Sequence, residues 1–122
     1  MSAEKNLSQM IVDVAGQFIE LETSEQGRQA NLLIACKAWN LAVLPKSERN
    51  KAYHQYLDEM RSVIKDKETM KWFKKDLNGL MKAKLDLYPA EKALIADARL
   101  EHVDESNYRV VVSYGKIGDM AA

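Results

Sequence analysis

The sequence predicts an α+β domain, mainly α: four helices packed as a bundle, closed at the C-terminal end by a β-hairpin. Three observations carry this. Apolar residues recur at three- and four-residue spacing through the first two thirds of the chain, the helical period. Pro89 then marks a change of character, and Tyr108 to Tyr114 alternates apolar and polar as a strand does. Only five Gly and two Pro interrupt 122 residues, so long regular elements are expected.

The first helix is expected over 3–21, capped by Ser2 with Glu4 in its first turn. Leu7, Met10, Ile11, Val14, Phe18 and Leu21 form its stripe. Gly16 lies inside it, where it either admits a close neighbour or is tolerated at up to about 1 kcal/mol relative to Ala. Thr23-Ser24-Glu25-Gln26 reads as a capping box opening a second helix over 23–44, which stops before Pro45. From Leu32 onward this helix is apolar on nearly every side, as expected of a central helix touched by several neighbours. A third helix is expected over 47–65, capped by Ser47, with Tyr53, Tyr56, Leu57, Met60, Val63 and Ile64 facing inward. The stripe fades at Lys65-Asp66-Lys67-Glu68, which marks a break.

The fourth helix is expected over 67–88, with Met70, Phe73, Leu77, Leu80 and Met81 on one face and Leu87 and Tyr88 continuing it. Asn78-Gly79 inside it is also a turn signal. The hairpin is expected over 94–115, with Leu94, Ala96, Ala98 and Leu100 on one side of its first strand and Tyr108, Val110, Val112 and Tyr114 on one side of its second. Asp104-Glu105-Ser106-Asn107 supplies the turn. The competing reading makes 90–102 a fifth helix, which would leave the last strand without a partner. The whole of 1–122 is read as one domain, with no repeat and no linker.

Composition narrows the function. With 18 basic and 18 acidic side chains the formal net charge is zero, which gives no global pull toward nucleic acid or an anionic membrane. A single cysteine, Cys36, precludes an internal disulfide framework and a multi-thiolate zinc site. The N-terminus carries no signal-peptide pattern, and the most apolar stretch, Leu32 to Leu44, is too short to span a bilayer. A cytoplasmic location without membrane insertion is the expectation.

Catalytic signals are thin. His54 and Asp58 are helix neighbours, but lie off the apolar stripe. Cys36 sits among Leu33, Ile34, Ala35 and Trp39, as a buried thiol does. Lys37 and Asn40 interrupt the same apolar helix, so a small-molecule or enzyme site near Cys36, Lys37 and Asn40 is a third possible function. His102 near the hairpin turn has no spacing partner for a metal. No glycine-rich phosphate loop, nucleophile elbow or paired-histidine motif is present. No catalytic residue, metal or cofactor is therefore assigned.

Two surfaces stand out instead. A two-stranded hairpin leaves two open edges, which self-association or an added strand would satisfy, unless Arg99, Glu101, Arg109 and Lys116 guard them. Charge is also uneven: Arg61 to Lys84 holds eight basic and three acidic residues. On a helix, Lys67, Lys71, Lys74, Lys75 and Lys82 share one face with Trp72 on its flank. Such a stripe docks an acidic protein surface, or grips phosphates while the indole stacks on a base. The alternative is an ordinary solvated helix face. The expected function is a small cytoplasmic protein-interaction domain, with self-association into a homodimer as one form of that interaction, and with nucleic-acid binding through the same residues as the alternative.

Overall fold

A computed structural model describes residues 6–104 and 108–115. Its order is α1 (Leu7–Glu20), α2 (Glu25–Val43), α3 (Lys46–Arg61), α4 (Lys67–Leu87), β1 (Leu94–His102) and β2 (Tyr108–Gly115). The strands form one antiparallel hairpin. The α+β, mainly α architecture with a C-terminal hairpin is as expected, and the fifth-helix reading of 90–102 is overturned.

The helix starts differ from expectation for local reasons. Asn6 has extended backbone and its side chain accepts from the Gln9 amide at 2.9 Å, so α1 begins at Leu7 rather than Ala3. The expected Ser2 cap lies outside the described residues. Ser24, not Thr23, caps α2 by accepting from the Gly27 amide at 2.9 Å. A Cβ on Gly27 would stand 2.9 Å from the Ser24 Oγ and 2.4 Å from a Glu22 carboxylate oxygen, so this first turn is built around a glycine. Pro45 takes the N-cap position of α3 through its fixed φ, which leaves Ser47 inside the first turn. Asp66 caps α4, accepting from the Thr69 amide at 2.8 Å and from the Thr69 hydroxyl at 2.8 Å. These bonds favour the charged carboxylate and hold its pKa below the usual value.

The core gathers on α2, which touches α1, α3, α4 and β1. Leu32, Ala35, Cys36, Ala38, Trp39, Leu41 and Ala42 are all buried along it, over most of the helix circumference, while the side that carries Leu33 and Lys37 stays open and Leu33 is exposed. Against them α1 sets Leu7, Ile11, Ala15 and Ile19, an i, i+4 row. Leu21 falls at the C-cap and is exposed rather than part of that stripe. Gly16 makes no close approach to another helix, since a Cβ there would meet only Val12 of its own helix, at 3.4 Å. The inner face of α4 contributes Phe73, Leu77, Leu80 and Lys84, while Leu87 turns outward and is exposed. Asn78 and Gly79 are exposed helical residues; the tertiary contacts of that inner face override their turn preference. In contrast α3 buries only Leu57, with Tyr53, Tyr56 and Met60 packed at the margin, and Val63 is exposed beyond its end.

The hairpin register is broken between Ile95 and Asp97. The extra residue, Ala96, shifts the alternation, so that Leu94, Ile95 and Ala98 are buried and Ala96 is exposed. A strict period of two placed Ala96 inside; the bulge puts Ile95 there instead. Leu100, Val110 and Val112 pack partly against the core.

Candidate functional site

The outer face of α4 is the expected contact surface. Lys67, Lys71, Trp72, Lys74, Lys75 and Lys82 are all exposed, opposite the inner row of Phe73, Leu77, Leu80 and Lys84. The helical period dictates this: the inner residues hold the helix on α2, so residues half a turn away must face water. Lys82 pairs with Asp86 at 2.7 Å one turn on, which favours its ammonium and raises its pKa. Among the described residues Lys67, Lys71, Lys74 and Lys75 make no ion pair. The Lys75 Nζ lies 5.0 Å from the Trp72 ring centroid. Trp72 is 51% exposed, whereas Trp39, the other tryptophan, is 0% exposed. The face therefore joins uncompensated positive charge to one amphipathic ring.

The hairpin edges do not form a comparable surface. Asn40 of α2 donates from Nδ2 to the Ile95 carbonyl at 2.9 Å and accepts from the Ile95 amide at 2.8 Å. Gln29 donates to the Ala98 carbonyl and accepts from the Leu100 amide, both at 3.0 Å. These two side-chain amides take the place of a neighbouring strand along β1. On β2, the Val112 amide donates to the Ser8 hydroxyl of α1 at 3.1 Å. The open edges expected from the sequence are thus occupied at these positions by helix side chains. Glu101 accepts from Arg109 across the strands and from Arg99 on its own strand, which together hold its carboxyl below the ordinary range. Lys116 lies outside the described residues.

The thin catalytic candidates separate. Asp58 pairs with Arg61 instead of His54, whose ring stands edge-on to Tyr53. His102 faces Glu25 at 3.1 Å, and its ring lies tilted against Tyr108 with centroids 4.6 Å apart, in an exposed setting. Cys36 is buried, and burial, with the charge of Asp97 as a lesser cause, pushes its thiol up to about 12. At neutral pH it is a protonated, inert thiol. Among the described residues no group of three or more His, Cys, Asp or Glu is placed to hold a metal ion, and no helix is long and apolar enough to cross a membrane.

Asn40 and Lys37 face a cleft of about 280 Å³ between α2 and α3, which Cys36 does not line. The Lys37 Nζ lies 5.2 Å from the Tyr56 ring centroid. The Tyr56 phenol is pushed up by its burial and secondarily by the nearby charge of Glu59.

One unusual group escaped sequence reasoning. Lys84 is 1% exposed. Its Nζ donates to the Tyr88 carbonyl at 2.8 Å and the Glu91 carbonyl at 2.7 Å, and lies 5.1 Å from the Trp39 ring centroid. Burial, followed by the positive charge of Lys92, lowers its pKa. It closes the C-terminal end of α4, while Trp39 Nε1 donates to the Ala93 carbonyl at 2.8 Å. Lys84 thereby ties the turn before β1 to the core. Its place on the inner row, four residues after Leu80 and seven after Leu77, was the signal available in the sequence.

Comparison with known proteins finds no matching family, no matching curated relative and no matching solved structure.

Proposed function

We propose that this chain is a cytoplasmic protein-interaction domain that docks an acidic surface of another protein on the outer face of α4. The observation that carries the reading is the set of four lysines without ion pairs, Lys67, Lys71, Lys74 and Lys75, beside the half-exposed Trp72. Isolated surface lysines cost little, but four on one face repel one another and gain when a partner brings carboxylates. An exposed tryptophan with a cation beside it supplies the aromatic anchor that protein contacts favour. The zero net charge of the chain weighs against nucleic acid, whose binding domains carry a basic excess over the whole domain.

The test follows Trp72 fluorescence, which is separable from Trp39 because only Trp72 meets solvent. The full chain is titrated at low salt with a polyglutamate peptide and with an oligothymidylate of equal charge. The acidic peptide is expected to bind, and Lys71→Glu with Lys74→Glu and Lys75→Glu together is expected to abolish that binding. Tighter binding of the oligothymidylate would move the function to nucleic acid. Binding of neither, or unchanged peptide binding by the triple variant, would overturn the reading.

A further inference from the structure

The cleft between α2 and α3 has a built pattern that the outer face of α4 does not explain. On α3, Glu48, Ala52, Gln55 and Glu59 follow one another at spacings of four, three and four, so all line one face. Lys37 and Leu41 of α2 and its C-cap Leu44 do the same, and Leu94 of β1 also lines the cleft. The two helices follow one another through a short turn at Leu44 and Pro45. Leu44 therefore faces the Glu48 end, while Lys37 stands over Tyr56, one turn short of Glu59. Ala52 is the smallest side chain of the α3 row.

The charges at the rim are uncompensated. Among the described residues Lys37, Glu48 and Glu59 make no ion pair, although one ammonium and two carboxylates share the cleft. The Lys37 Nζ rests on the Tyr56 ring, which holds a cation in place without neutralising it. At about 280 Å³ the cleft lies just below the range of ligand sites, which run from ~300 Å³ upward. The floor of Leu41, Leu44, Ala52 and Leu94 is apolar.

From this arrangement we propose that the α2–α3 cleft binds a small zwitterion, an aliphatic α-amino acid. Its carboxylate is met by Lys37 and its ammonium by Glu59, and its side chain runs over Leu41, Ala52 and Leu44. A simple fatty carboxylate would find two like charges in the cleft, and a simple amine would find Lys37. A ligand that carries both charges meets each with its opposite.

The probe is L-leucine, titrated into the ¹⁵N-labelled full chain and followed by amide chemical shifts. Saturable shifts confined to the residues lining the cleft are expected. N-acetyl-L-leucine, without the ammonium, and L-leucinamide, without the carboxylate, should each bind at least about tenfold more weakly, as expected when one charge-assisted pair is lost. Lys37→Met and Glu59→Gln should weaken leucine by a similar factor while the spectrum stays folded. Absence of shifts with leucine would overturn the site. Equal affinity for N-acetyl-L-leucine, or leucine binding by Lys37→Met as tight as by the unaltered chain, would overturn the zwitterion assignment.

Discussion

The two faces of α4 use lysine in opposite ways. On the inner face Lys84 is buried, its ammonium satisfied by two backbone carbonyls and the Trp39 ring. On the outer face Lys71, Lys74 and Lys75 stand in solvent without an ion pair. Lys82 and Lys84 are only two residues apart, yet one pairs with Asp86 at the surface and the other closes the core. Residue type thus does not assign a role on this helix. What assigns it is the angle around the helix axis, which the contact with α2 fixes. The inner lysine belongs to the fold, and the outer Lys71, Lys74 and Lys75 are exposed and make no ion pair among the described residues.

Changes on the inner side test that division most severely. Trp39→Ala removes the largest buried ring, its bond to the Ala93 carbonyl and the platform under Lys84. It should cost about 3–5 kcal/mol in urea unfolding. Asn40→Ala strands both the amide and the carbonyl of Ile95 in a buried site, with an expected loss of about 2–4 kcal/mol by the same measurement. Lys84→Met keeps the packing of the stem but leaves the Glu91 carbonyl without its donor, while the Tyr88 carbonyl keeps the Glu91 amide at 3.2 Å. A loss of about 1–3 kcal/mol is expected, reduced by relief of the buried charge. A Lys84→Met chain more stable than the original would show that the burial cost of this ammonium exceeds the value of its bonds.

The smallest effect is silent at neutral pH. The Cys36 thiol has its folded pKa raised to about 12 from 9.0, so between those values the unfolded chain has released a proton that the folded chain still holds. The contribution of Cys36 is intact below pH 9.0 and is lost as pH rises toward 12. The lowered pKa of Lys84 acts in the reverse sense, since its proton is less welcome in the fold than in the open chain. Cys36→Ala should therefore flatten the alkaline fall in stability, measured as urea midpoint against pH. A fall of the same slope in that variant would contradict the burial of this thiol.

Periodicity made the helices, the central place of α2 and the lysine face legible, because each depends only on spacing along the chain. The hairpin was legible from the alternation of Tyr108 to Tyr114 and from the need to pair it. Signals that depend on one atom were not: Asn6 as the cap of α1, Ser24 rather than Thr23, Pro45 in place of Ser47. The bulge at Ala96 also escaped, since a strict period of two contains no marker for an inserted residue. The side-chain amides of Gln29 and Asn40 overturned the open edges because their partners, Ala98, Leu100 and Ile95, lie more than fifty residues away in sequence. Lys84 was hidden by its own type, counted among the basic residues of a polar helix although its register placed it with Leu77 and Leu80.

The most direct test of the division between the two faces is the urea unfolding of the chain carrying Lys71→Glu, Lys74→Glu and Lys75→Glu. If the outer face is free for recognition, three charge reversals there should move the unfolding free energy by no more than about 0.5 kcal/mol each, with the slope unchanged. A loss of several kcal/mol, comparable with Trp39→Ala, would mean that the outer lysines hold the fold together, and the separation of the two faces would fail.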